Sequence, residues 1–167
     1  MCVPGKWLRP RNLCLAAAVA ALYAILTAAL APISYGGVQC RVAEALSVLP
    51  ILLPEAIPGL FAGCLLANLL SPAPFLADIV FGSLATLAAA AATYALRAQK
   101  TWIALLPPVV LNAVVVGMVV HAFFAPEAPV ALCMLQVGAG QAAAVYVPGT
   151  ALLVALRKID VRRVLRL

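Results

Sequence analysis

The sequence predicts an all-α integral membrane protein: a single domain, residues 1–167, folded as a six-transmembrane-helix bundle with both termini cytoplasmic. Three observations carry that expectation. The chain is 66% hydrophobic and 10% charged, where a soluble domain carries roughly a quarter charged residues, so it has too little polar surface to face water. Its apolar stretches are too many and too long for one secretion signal. Its cations fall into three clusters that an even number of spans places on one side, matching the Lys and Arg enrichment of cytoplasmic loops.

The elements follow from apolar length and from Pro, Gly and charge punctuation. The first span, about 13–31, follows Lys6, Arg9 and Arg11 and has no small-x-small cleavage pattern at its end, so it is read as retained. A loop 32–40 leads to a short second helix, about 41–53, whose far end Pro50 and Pro54 limit. The third helix is about 55–70 and ends at the turn Ser71-Pro72-Ala73-Pro74. The fourth is about 76–96 and stops at Arg97 and Lys100. The fifth, about 102–124, carries a kink-inducing Pro107-Pro108 pair. The sixth, about 130–156, holds Pro148-Gly149, which should bend it, and runs into Arg157, Lys158, Arg162, Arg163 and Arg166. A five-span path that fuses 41–70 would put this basic tail outside, against the orientation rule.

The net charge of +6 is therefore an orientation signal and not a nucleic-acid signal. Five cysteines without a Cys-x-x-Cys pair, and one histidine, argue against a disulfide framework and against a metal site. No nucleophile–base pair suggests an enzyme, and no phosphate loop suggests a nucleotide motor. No cofactor is expected.

One cation breaks the pattern. Arg41 falls on the non-cytoplasmic side in Gln39-Cys40-Arg41-Val42-Ala43-Glu44, and a charge near lipid is costly enough to suggest a task. The same topology brings Glu44, Asn68, Asp78, His121, Gln136 and Gln141 toward that side, with Asn112 deeper. Polar groups at such depths need partners. They either pair among themselves as helix-to-helix glue or line an outward-opening pocket. Arg41 and Glu44, three residues apart, share a helix face and offer a planar donor beside a bidentate acceptor. A flat heterocycle with an amide edge fits that pair, with Tyr35, Phe75 and Phe81 available for stacking. A second feature is a small-residue stripe on the first helix, Ala16, Ala20, Ala24 and Ala28. It is either packing within the bundle or a docking face for another membrane protein. Gly59, Gly63 and Ala67 form a similar stripe on the third helix, read as internal packing.

Three ordered blocks then add a resemblance: Gln39-Cys40-Arg41-Val42-Ala43-Glu44-Ala45-Leu46-Ser47-Val48-Leu49-Pro50, Ala56-Ile57-Pro58-Gly59-Leu60-Phe61-Ala62-Gly63-Cys64-Leu65-Leu66-Ala67-Asn68-Leu69-Leu70 and Asp78-Ile79-Val80-Phe81-Gly82-Ser83-Leu84-Ala85-Thr86-Leu87. Over residues 39–87 the chain resembles the QueT family, substrate-binding (S) components of energy-coupling factor (ECF) transporters assigned to queuosine precursors. Cys40 departs from the family pattern, standing where a bulky, often aromatic residue is expected. The resemblance implies a six-helix S component in the bacterial plasma membrane that captures preQ1, queuine or queuosine on the outer side. It implies partners as well: a membrane coupling protein and two cytoplasmic ATPases, with delivery by toppling of the S component and docking through Ala16, Ala20 and Ala24. The substrate-binding set expected on this basis is Tyr35, Gln39, Arg41, Glu44, Asn68, Asp78, Phe81 and Gln136. An S component for another vitamin-like solute, a membrane-embedded enzyme, and a non-transporting bundle whose polar residues pair off are the competing readings.

Overall fold

A computed structural model describes residues 9–31, 41–71, 75–159 and 161. The described residues are mostly helical, with no strand among them. In chain order they form α1 (Pro10–Ala29), a 3-10 helix (Val42–Ile51), α2 (Ala56–Leu69), α3 (Asp78–Ala95), α4 (Thr101–Phe123) and α5 (Val130–Lys158). α1, α3, α4 and α5 are long and apolar enough to cross a membrane.

The other two segments differ from the expected full spans. The 3-10 helix has 10 residues and α2 has 14, which at about 2.0 and 1.5 Å per residue gives only ~20 Å each, short of a ~30 Å hydrocarbon core. Proline explains the limits of the first. Pro50 lies in its last turn and Pro54 follows, so an α-ladder cannot continue. What remains is apolar apart from Glu44 and Ser47, and Ala43 to Ile51 are all buried. It is the centre of the bundle. Leu46 and Leu49 face α1 and α2, meeting Val19, Tyr23, Leu60 and Cys64. Val48 and Ile51 face Leu105 of α4 and Val145 and Leu153 of α5. A third cluster, Val116, Val120, Cys133 and Val137, joins α4 to α5.

Small residues set the closest approaches. A Cβ on Gly59 would lie 2.6 Å from the Ala16 carbonyl oxygen, and one on Gly63 would lie 2.7 Å from Tyr23 Cβ and 2.9 Å from the Ala20 carbonyl. The two small-residue stripes thus pack against each other, in the manner of small-x-x-x-small contacts. Ala20 and Ala24 are buried by this contact. The free-face reading of the Ala16–Ala20–Ala24 stripe is thereby corrected: that face is occupied by α2 of the same chain. The exposed side of α1 carries Cys14, Ala17, Ala18, Ala21, Leu22 and Ile25 instead.

The helix irregularities fall where the sequence places its breakers. α4 is interrupted at Leu105, just before Pro107-Pro108. α5 changes to π winding over Val145–Gly149 around Pro148, which has no N–H to donate. There Gly149 lets α5 rest on the 3-10 helix, since a Cβ would meet Val48 Cγ1 at 2.9 Å. A second π turn, Asp78–Gly82, opens α3. Outside the core, the surface is apolar: Ile25, Leu66, Leu84, Val110, Leu135 and Val147 are all exposed, as suits contact with lipid.

Candidate functional site

Arg41 is the one buried cation among the described residues; Arg9, Arg11, Arg97, Lys100, Arg157 and Lys158 are exposed near helix ends. It precedes the 3-10 helix in extended conformation (φ −85°, ψ 99°). That backbone turns its side chain away from the helix it introduces, toward α2 and α3. Nη2 donates to Asp78 Oδ2 at 2.8 Å, and the two side chains are 7% and 14% exposed. Nη1 reaches Cys64 Sγ at 3.9 Å. Asn68, one turn beyond Cys64 on α2, donates from Nδ2 to the Asp78 carbonyl at 3.0 Å and to Cys64 Sγ at 3.7 Å. Thr86 of α3 bonds its own Gly82 carbonyl at 3.0 Å and lies 3.4 Å from the same sulfur. Arg41, Cys64, Asn68, Asp78 and Thr86 form one polar knot where α2 ends and α3 begins.

The π turn contributes to it. Its widened winding brings Gly82 beside Asp78, so that a Cβ there would sit 3.1 Å from Asp78 Oδ1 and 3.2 Å from Asn68 Nδ2. π turns inside α-helices occur often at functional sites. Two buried acceptors in this knot, Asp78 Oδ1 and Asn68 Oδ1, have no hydrogen-bond partner. An orphaned buried acceptor costs about 1–3 kcal/mol, so two side by side call for a donor.

Glu44 belongs to a second knot. The helix around it has three residues per turn, so Glu44 and Ser47 are eclipsed, and Ser47 Oγ donates to Glu44 Oε2 at 2.8 Å. Gln141 Nε2 of α5 donates to the same oxygen at 2.9 Å. Tyr23 of α1 donates its hydroxyl to Oε1. Both carboxylate oxygens are engaged by groups from three elements. The shared face expected for Arg41 and Glu44 does not produce a joint grip: the guanidinium turns to α3 and the carboxylate to α1 and α5.

The remaining expected site residues divide clearly. Tyr35 and Gln39 lie outside the described residues. Phe81 is 53% exposed, and Gln136 is exposed too. Gln136 stands five residues from Gln141, about 140° around the helix, so the two amides face different ways. Phe81 and Gln136 thus both lie on the outer surface of the chain, away from the two knots. Phe75 packs against Phe123 and Phe124, with ring centroids 4.7 and 5.5 Å away. His121 pairs its Nδ1 with the Ala128 carbonyl at 2.9 Å, tying the end of α4 to the following loop. A cavity of about 460 Å³ runs along the far half of α5, lined by Thr150, Ala151, Val154, Ala155 and Lys158; it includes no residue of either knot. No group of three or more His, Cys, Asp or Glu with metal-binding geometry occurs among the described residues.

Sequence reasoning missed Tyr23, Cys64 and Thr86. Tyr23 had a signal: it is the one tyrosine in a first helix otherwise of Ala, Leu, Val and Ile with a few small polar residues. Cys64 and Thr86 read as ordinary small packing residues and had none.

The family model described as QueT transporter matches residues 13–158. No curated protein and no solved structure matches the chain. The chain belongs to the QueT transporter family, and it is a multi-pass membrane protein and a transporter component.

Proposed function

We propose that this member of the QueT family is the substrate-capture S component of an ECF-type importer. It takes up a queuosine precursor (preQ1, queuine or queuosine) from the outer side of the bacterial plasma membrane. A coupling membrane protein and two ATPase subunits complete the transporter, and the S component topples against the former to deliver its load.

The observation that carries the reading is the pair of buried, partnerless acceptors, Asp78 Oδ1 and Asn68 Oδ1, beside the Arg41 guanidinium. A 7-deazaguanine presents N1–H and a 2-amino group next to its O6 acceptor. The donors suit Asp78 Oδ1 and Asn68 Oδ1, and O6 suits Arg41. Of the two carboxylates, Asp78 is the better reader, because Glu44 is already saturated by Tyr23, Ser47 and Gln141. Gln39 and Tyr35, which precede Arg41 in the sequence, complete the proposed set. For the coupling protein, the face on offer is the exposed side of α1, since Ala20 and Ala24 are covered.

The non-transporting bundle has one observation in its favour: Glu44 and Arg41 both pair internally, as structural glue would. A pull-down separates the two readings. The S-component reading expects the tagged protein to co-purify with a coupling protein and ATPases from native membranes, and purified protein to be stabilised thermally by preQ1, queuine or queuosine. No stabilisation by any of the three, with no co-purifying ATPase, would leave the glue reading standing.

A further inference from the structure

We propose that the cavity on the far half of α5 is a binding site for one anionic phospholipid. Its phosphate sits on Lys158, and the start of an acyl chain runs along Ala155, Val154, Ala151 and Thr150. The site is separate from both polar knots, so it stands whether or not the proposed substrate is the right one.

The cavity, of about 460 Å³, is lined by Thr150, Ala151, Val154, Ala155 and Lys158. Their spacing makes them one strip of α5, ~12 Å long at 1.5 Å per residue. The other side of this segment, Leu152, Leu153 and Leu156, packs into the bundle. Ala151, Val154, Ala155 and Lys158 face outward. The two alanines leave the depression, and Val154 makes it apolar. Thr150, at its inner end, is already satisfied, because its hydroxyl donates to the Tyr146 carbonyl. A hydrocarbon chain laid along the strip therefore meets no unpaired polar group. Charge stands at the opposite end. α5 has 29 residues, which is ~44 Å, the thickness of a bilayer with its headgroups (~40–45 Å). Lys158, its last residue, thus reaches headgroup level with Arg157 beside it. Neither forms an ion pair with any described residue.

An anionic phospholipid complements both ends: phosphate for the ammonium, hydrocarbon for the strip. The methylene stem of Lys158 lies on the apolar groove while its head meets the phosphate. A zwitterionic lipid brings its own cation beside the phosphate and gains less from Lys158. A crossing helix fits the strip less well, since close helix contact needs the row of small residues to continue. One turn further along stand the larger Tyr146 and Val147, neither of which lines the cavity. Tyr146 is fixed there by its hydroxyl, which donates to the Trp102 carbonyl at 2.8 Å.

The test is native mass spectrometry of the purified full chain in detergent, titrated with dioleoylphosphatidylglycerol or dioleoylphosphatidylcholine. Wild type should retain one phosphatidylglycerol, about fivefold more tightly than phosphatidylcholine, the contribution of roughly one cation at an anionic headgroup. Lys158→Ala should abolish that preference and Lys158→Arg should keep it. Ala151→Leu combined with Ala155→Leu fills the groove and leaves the charge, and should weaken phosphatidylglycerol about fivefold. Lys100→Ala removes an exposed cation that does not line the cavity, and should change nothing. Equal retention of the two lipids by wild type overturns the proposal. So does an equal loss in Lys100→Ala, which would make the attraction a property of the whole basic end. Undiminished lipid retention in the filled-groove variant also overturns it, and loss of a co-purifying membrane protein from that same variant would identify a partner helix as the occupant. Should the double variant not fold, Ala155→Leu alone takes its place, with a loss in the same direction expected and undiminished retention again overturning the proposal.

Discussion

Adding one methyl group at Gly63 should loosen the bundle and disturb the site at once. A Cβ there would lie 2.7 Å from Tyr23 Cβ, 2.9 Å from the Ala20 carbonyl oxygen and 3.0 Å from Ala20 Cα. None of these is the end of a flexible side chain. To restore a carbon–carbon contact of roughly 3.6 Å, α1 and α2 must part by about 0.9 Å. Overpacking of this kind costs about 1–3 kcal/mol, and rigid backbone on the α1 side places Gly63→Ala toward the upper end. The parting also carries Tyr23 away from Glu44, to which it donates. The assay is thermal unfolding in detergent, followed by tryptophan fluorescence, for wild type, Gly63→Ala and Ala62→Gly as a control at a half-buried neighbour. Gly63→Ala should melt several degrees lower, and ligand-induced stabilisation should shrink with it. A melting temperature unchanged from wild type would refute the claim that α1 and α2 meet through their small residues.

Other substitutions test the polar knots. Arg41→Ala should destabilise by about 3–5 kcal/mol by stranding Asp78, while Arg41→Ala combined with Asp78→Ala should recover much of that loss; additive losses in a double-mutant cycle would deny the ion pair. Glu44→Gln keeps the shape but replaces an acceptor with a donor facing Tyr23, Ser47 and Gln141, so a loss of about 2 kcal/mol is expected in chemical denaturation. A neutral result there would mean that the carboxylate is not the hub linking α1 to α5. Asn112 has a buried Nδ2 without a partner, so Asn112→Leu should be neutral or stabilising by up to ~1 kcal/mol; a clear destabilisation would show that the amide has an unseen partner.

Much of the fold is legible in the sequence because its breakers are. Pro50 and Pro54 end the second segment, Pro107 and Pro108 follow the break at Leu105, and Pro148 marks the π turn in α5. The winding of the second segment is not legible. An apolar run with proline at its end reads as a short α-helix, and only burial from every side favours a thin 3-10 rod of 10 residues. The site is legible in part for a related reason. Arg41, Glu44, Asn68 and Asp78 stand out because charge and amide groups are rare in this chain, and the structure brings all four into buried networks. Their pairing is hidden, since it depends on the direction of the Arg41 backbone and not on spacing. Phe81 and Gln136 show the converse limit: being at the right depth does not settle which side of the helix a residue occupies.

The central claim is that the Arg41–Asp78–Asn68 knot holds the substrate, and isothermal titration of preQ1, queuine and queuosine addresses it most directly. Wild type, Asp78→Asn and Asn68→Leu are the proteins to compare, with His121→Ala as a control outside the knot. The account predicts that wild type and His121→Ala bind at least one of the three with similar affinity. It predicts that Asp78→Asn and Asn68→Leu each lose at least tenfold, about 1.4 kcal/mol or more. Binding by wild type that persists undiminished in both knot variants would contradict it.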